Sequence, residues 1–260
     1  MIPEFELTGK TALITGAGRG IGTGIAEVFA EAGATVIVNA LTGKYLDRFA
    51  TELQQRSGRR VVPIVGDATR PESAAEIVAR SLTVTGQIDI LVNNLGDSIR
   101  RPLVPLQKGE VGASDEDIEK IIALNMMATI YFSRAVGAHM VARRSGKVVN
   151  ISSFGALRGA PGNSLYAAAK AALTGLTRSL ALEWGPLGVS VNAVAPGIFP
   201  DVVTAGQNAY DEAVEAAKTT IPLRRVGKLR EVGLAALYLA SAASDYMVGQ
   251  TLALDGGLTT

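Results

Sequence analysis

The chain has 260 residues, 48% of them hydrophobic, and 25 lysines and arginines against 24 aspartates and glutamates. The basic residues are scattered and the net charge is +1, so nucleic acid or an anionic membrane surface finds no electrostatic footing. Cysteine is absent and His139 is the single histidine, which excludes disulfides and thiolate metal sites and argues against a histidine metal site or a serine–histidine triad. The length suits one large α/β domain, and no apolar run approaches the roughly 20 residues of a membrane span. The opening MIPEFELTGK lacks the basic-then-apolar pattern of a secretory leader, so a cytoplasmic protein is expected.

The predicted elements alternate along the chain. TALIT (11–15) reads as a buried strand, followed by a glycine turn and a helix over about 21–32. TVIVNA and VVPIV are the second and third strands, with helices over 44–56 and 71–85 after them. IDILVNN is the fourth strand and KVVNIS the fifth, separated by a long helix over 115–143. SLYAAAKAALTGLTRSLALEW is helical, and VSVNAVAP and TLALDGG supply the last strands. Short β-branched runs separated by helices predict a three-layer, doubly wound parallel sheet of Rossmann type, in a single domain over 1–260. Pro71 suits a helix start and Pro186 a helix end.

Two motifs carry chemistry. Ser153 closes the fifth strand, and Tyr166 and Lys170 lie one helical turn apart, so their side chains share a helix face. A phenol beside an ammonium, with a hydroxyl arriving from a strand, is equipment for moving a proton at a carbonyl or alcohol oxygen. Tyrosine titrates near pH 10, and a neighbouring Lys170 is expected to lower that value. The second motif, TGAGRGIG, places Gly16, Gly18, Gly20 and Gly22 between the first strand and its helix. Glycines there let backbone amides at a helix N-terminus approach a pyrophosphate.

Together with Asp67, NNLG (93–96), Asn125 and Pro196-Gly197, these motifs resemble the short-chain dehydrogenase/reductase family, over nearly the whole chain and in the family's order. The resemblance implies that Gly16, Gly18, Arg19, Gly20, Ile21 and Gly22 cradle a dinucleotide. Asp67 and Ala68 would meet the adenine, Asn94 the adenosine side, and Pro196, Gly197 and Ile198 the nicotinamide. Tyr166 would be the proton donor and acceptor, Ser153 would orient the substrate oxygen, and Lys170 would also hold the nicotinamide ribose. Asn125 would hold a water linking Lys170 to solvent. The second strand ends in Asn39-Ala40-Leu41-Thr42, without the acid that accepts both ribose hydroxyls of NAD, and Arg19 could meet a 2′-phosphate, so NADP(H) is favoured with NAD(H) possible.

Three departures from the family pattern stand out. Leu95 replaces the usual alanine, the 97–114 segment is long and rich in glycine and proline, and Asp201 replaces a threonine. The 97–114 loop would border the substrate, and 199–220 would form a lid over it. Phe154, Leu157, Leu165 and Phe199 are the candidate substrate-pocket wall. Arg100, Arg101 and Lys108 are expected to be a solvated loop face. The expected reaction interconverts a small-molecule ketone and a secondary alcohol, either a 3-ketoacyl thioester or a small or cyclic ketone. Of two basic positions that dock a carrier protein in ketoacyl reductases, Arg144 fills one and Leu187 stands at the other. A non-catalytic dinucleotide sensor on the same fold is the alternative, although such proteins typically lose the tyrosine or lysine. Epimerisation and dehalogenation fit less well. The resemblance also implies a homotetramer.

Overall fold

Alternation along the central strands decides the layering. In the computed structural model, which describes residues 2–260, β1 (Thr11–Ile14) sends Ala12 and Ile14 to one face and Leu13 to the other. β2 (Thr35–Ala40) divides Val36 and Val38 from Ile37 in the same way. β4 (Ile90–Asn93) divides Ile90 and Val92 from Leu91, and β5 (Gly146–Ile151) divides Val149 and Ile151 from Val148. Apolar side chains on both faces require helices on both faces, and a sheet covered twice is a parallel one.

With β3 (Val61–Val65), β6 (Val189–Pro196) and β7 (Thr251–Leu254), the strands form one seven-stranded sheet in the order β3-β2-β1-β4-β5-β6-β7, every pairing parallel. One face carries α1 (Ile21–Glu31), α2 (Gly43–Ser57) and α9 (Leu229–Ala240); the other carries α3 (Pro71–Thr85), α5 (Ala128–Arg143) and α6 (Ser164–Trp184). α1 and α9 pack backbone to backbone. A Cβ on Gly24 would lie 2.5 Å from the Leu229 carbonyl oxygen, so glycine is required at that crossing. The strand order reverses between β1 and β4, which opens a crevice at the strand C-termini where ligands bind in open α/β sheets.

The single long helix predicted over 115–143 is interrupted. α4 (Asp115–Ile122), entered through a Ser114–Asp117 capping box, gives way to a π-helical turn over Ala123–Met127 before α5. The cause is Asn125, whose Nδ2 donates to the Ile121 carbonyl at 3.0 Å and to the Asp97 carbonyl at 2.8 Å. A side chain entering the helix's own ladder widens it locally, and such bulges gather at functional sites. The run Asp115–Arg143 is, by length and composition, apolar enough to cross a bilayer, contrary to the sequence reading. Buried Phe132, Val136 and Met140, docked against the sheet, account for that apolarity.

At the opposite edge, buried Asp89 accepts from the Thr11 amide at 2.9 Å and from Arg143 Nη2 at 2.7 Å, tying β1, β4 and α5 together. His139 meets Arg143 there at 2.9 Å; burial and the neighbouring guanidinium hold its pKa below the usual value. The 97–114 segment is free of helix and strand and is closed by the Ala113 amide on the Pro102 carbonyl. Within it Arg101 pairs with Asp117 at 2.6 Å, while Leu103, Val104, Leu106 and Val111 are exposed. The 199–220 segment folds as α7 (Val202–Ala205) and α8 (Gln207–Thr220), separated at Gly206.

Candidate active site

A cleft of about 1010 Å³ runs across the C-terminal ends of the strands. Its floor at one end is the turn from β1 to α1. Gly16 and Gly20 have φ of 63° and 62°, a conformation that side-chain-bearing residues rarely adopt. A Cβ on Gly16 would meet Leu95 Cα at 3.0 Å, so the turn needs glycine for space as well as for conformation. No side chain caps α1 and no acid occupies its first turn, so its leading amides face the cleft free to receive an anion. The cradle therefore fits a dinucleotide pyrophosphate.

Gly16, Gly18, Arg19, Gly20 and Ile21 line this end, whereas Gly22 does not. A Cβ there would fall 2.7 Å from Ala17 Cα, and its job is packing α1 onto the turn. Asp67 and Ala68 line the cleft after β3, with Asp67 Oδ1 held by the Thr69 amide and hydroxyl at 2.9 and 2.6 Å. Asn94 lines it too, but its side chain braces the glycine turn, with Nδ2 donating to the Thr15 and Gly16 carbonyls at 3.0 and 2.9 Å. Sequence reasoning missed Thr15, whose hydroxyl receives the Asn94 and Leu95 amides, and Lys44, a second cation on the rim beyond β2. Leu95 packs against the core and also borders the cleft.

At the other end lie Ser153, Tyr166 and Lys170. Lys170 is 2% exposed, its Nζ donates to the Ile151 carbonyl at 2.9 Å, and it stands 5.9 Å from the centre of the Tyr166 ring. Burial lowers its pKa to about 8. Tyr166 behaves differently from expectation. Burial pushes its pKa up, the Ser153 hydroxyl opposes that, and the Asp97 carboxylate adds to it. Loss of phenol solvation outweighs the Ser153 hydroxyl, so Tyr166 rests protonated, as a proton donor must.

Asn125 is fully buried behind this pair, and its Oδ1 has no hydrogen-bond partner. Gly96 explains how the groups meet. A Cβ there would lie 2.6 Å from Asn125 Oδ1 and 2.8 Å from Lys170 Nζ, so both polar ends converge on one point above its Cα. Neither can retreat freely, because Asn125 Nδ2 and Lys170 Nζ are each tied to backbone carbonyls. Gly96→Ala is therefore expected to lower kcat tenfold or more while costing about 1–3 kcal/mol of stability, read from steady-state rates and urea midpoints. An unchanged kcat would show that the two groups part without consequence.

Pro196 and Gly197 line the cleft at the end of β6, where a Cβ on Gly197 would fall 2.6 Å from Asp255 Cα. The proposed apolar wall is mostly elsewhere. Phe199 reaches the cleft but wedges its ring against Gly227, while Phe154 and Ile198 pack on a small core with Ile221 and Val226. Leu157 is 45% exposed, and neither it nor half-buried Leu165 borders the cleft. Apolar character marks any packed surface equally, so residue type alone does not single out a substrate wall. Asp201 caps α7, accepting from the Val203 amide and, at 2.7 Å, from the Thr204 hydroxyl, above Gly20 rather than beside the tyrosine.

A glycine cradle and a protonated tyrosine beside a buried lysine, opening into one cleft, define an oxidoreductase working on CH–OH and C=O groups. Known proteins specify the kind. The family described as enoyl-(acyl carrier protein) reductase matches residues 16–259. Over 254 residues, 98% of this chain and 99% of the relative, the chain is 37% identical to the 3-oxoacyl-(acyl-carrier-protein) reductase of Thermotoga maritima. A gluconate 5-dehydrogenase from Burkholderia cenocepacia, solved in complex with NADP and tartrate, superimposes with a TM-score of 0.88 at 33% identity, over 98% of this chain and 97% of that one. A 3-oxoacyl (acyl-carrier-protein) reductase from Agrobacterium tumefaciens, solved with NADP bound, gives 0.89 at 33% identity, over 98% and 96%. The chain belongs to the short-chain dehydrogenase/reductase family.

Proposed function

We propose that this protein interconverts a ketone and a secondary alcohol, with NADP(H) as the preferred cofactor. The observation that carries this reading is that Ser153, Tyr166 and Lys170 share one cleft with the glycine cradle. When bound, the nicotinamide supplies or accepts the hydride at the substrate carbon. Tyr166 gives its proton to the carbonyl oxygen during reduction and takes it back during oxidation. Ser153 donates a hydrogen bond to that oxygen as charge gathers on it. Lys170 keeps a cation near the phenol and holds the ribose, and a water on the unpartnered Asn125 Oδ1 would connect Lys170 to solvent. Turnover of a panel of ketones and alcohols with each cofactor, followed at the nicotinamide absorbance, tests the reading. A folded protein that binds NADPH and turns over none of them would instead be the dinucleotide sensor.

The preference for NADP(H) rests on the end of β2. The Asn39 amide is turned away, donating to the Ile64 and Gly66 carbonyls, and Ala40 brings no acid. Arg19 and Lys44 stand exposed on the rim, and the NADP seen in the two relatives supports the same choice. Ala40→Asp is expected to shift the ratio of kcat/KM values for NADPH over NADH at least tenfold toward NADH, by repelling the 2′-phosphate. An unchanged ratio would count against the assignment.

Carrier-protein docking has weak support, since Arg144 Nη2 is already committed to the Pro186 carbonyl at 2.9 Å and Leu187 carries no charge. The reading includes a homotetramer, with exposed Leu182 on α6 and Leu234 on α9 available for burial between subunits.

A further inference from the structure

Immediately after Gly96 comes Asp97, a carboxylate on the wall of the cleft. Its backbone is fixed, because its carbonyl receives Asn125 Nδ2 at 2.8 Å, the bond that also shapes the π turn. Its side chain is exposed and borders the cleft together with Ser153 and Tyr166. Oδ1 accepts the Ser98 amide at 2.8 Å. Oδ2 has no hydrogen-bond or ion-pair partner among the described residues. The Asp97 charge is felt at the phenol, so the carboxylate lies on the reacting side of the cleft.

The other two carboxylates on the cleft wall are placed differently. Asp67 follows β3, beyond β1 and β2 from the tyrosine, and Asp201 is occupied as the cap of α7 above Gly20. Asp97 alone offers an open acceptor to a substrate held by Ser153 and Tyr166. An apolar acyl chain passing it would strip water from a carboxylate and return nothing, which is costly. An anionic group beside it would be repelled. A hydroxyl or ammonium would replace the lost water with a charge-assisted hydrogen bond.

We propose that Asp97 is a specificity-determining residue that selects ketones and alcohols bearing a hydrogen-bond donor, a hydroxyl or an ammonium, next to the reacting carbon. The substrates are then α-hydroxy or α-amino ketones and the matching diols or amino alcohols, rather than simple ketones or acyl thioesters. This rests on the ketone–alcohol reading above and narrows it. A site that hydrogen-bonds a substrate hydroxyl discriminates against the analogue lacking it more sharply than an apolar pocket does.

Matched pairs test it: 3-hydroxy-2-butanone against 2-butanone, and 2-hydroxycyclohexanone against cyclohexanone, each with NADPH. Wild-type protein is expected to favour the hydroxylated member of a pair by about tenfold to a hundredfold in kcat/KM, the range for a hydrogen bond to a charged group. Asp97→Ala should bring that ratio close to one, and Asp97→Asn, which keeps an acceptor without the charge, should retain part of it. Binding of NADPH, titrated by nicotinamide fluorescence, reports independently that each variant is folded. Equal preference in the wild type, or a preference that survives in a folded Asp97→Ala protein, overturns the proposal and leaves the reaction standing. If wild-type protein binds NADPH and reduces no member of either pair, the ketone reading fails here and the proposal falls with it.

Discussion

Replacing Tyr166 with phenylalanine is expected to lower kcat by about 10² to 10⁴-fold, the contribution of a positioned general acid, while leaving NADPH affinity close to that of the wild type. The substitution keeps the ring, and with it the packing beside Gly155, whose Cβ position lies 3.8 Å from the ring edge. It removes only the oxygen that carries the proton. Because burial holds the Tyr166 proton above its usual pKa, the wild-type phenol is loaded for donation throughout the neutral range. Single-turnover reduction measures the loss directly, and a fluorescence titration measures binding. Turnover retained in the variant would mean that another group, Ser153 being the nearest hydroxyl, can supply the proton.

The second large effect concerns Lys170 and appears in both rate and stability. Lys170→Met should abolish most turnover, since Tyr166 loses its cation and the ribose loses its donor. The stability consequence has a definite sign. Lys170 titrates at about 8 in the folded protein, against 10.5 for the ordinary side chain. Below pH 8 the lysine is charged in both states, and the folded protein bears the whole cost of burying that charge. Between 8 and 10.5 the folded protein has released the proton and the unfolded chain still holds it, so stability rises with pH through this window. Relative to Lys170→Met, the wild type should gain about 3 kcal/mol between pH 7 and pH 10.5, at about 1.4 kcal/mol per unit of pKa. Urea unfolding of both proteins at the two pH values reads the difference. Parallel curves would show that the lysine is solvated in solution, and would remove the basis for its lowered pKa.

The tyrosine–lysine pair was legible because its geometry is local. Tyr166 and Lys170 are held one turn apart by a single helix, and α6 forms over the whole of SLYAAAKAALTGLTRSLALEW. The glycine turn was legible for the same reason, since positive φ at Gly16 and Gly20 is a property of those residues. The parallel, doubly wound sheet followed from β-branched runs alternating with helices, because crossover connections between parallel strands leave few topologies. Asn125 was readable as a site residue by resemblance, but its conformation was not. The π turn exists because Asn125 Nδ2 finds the Asp97 carbonyl, 28 positions earlier in the chain. The substrate wall was not legible at Phe154, Leu157 and Leu165, because apolar character does not separate a pocket wall from a packed or exposed surface: Phe154 packs on a small core and Leu157 is exposed.

Residue type and spacing alone determined the fold class, the glycine turn and the tyrosine–lysine pair, since each depends on backbone preferences and contacts within one turn or one helix. Tertiary structure decided the protonation state of Tyr166, the convergence of Asn125 and Lys170 above Gly96, and the place of the Asp97 carboxylate on the cleft wall. Desolvation and through-space charge depend on what surrounds a group in three dimensions, and segments distant in sequence provide those surroundings.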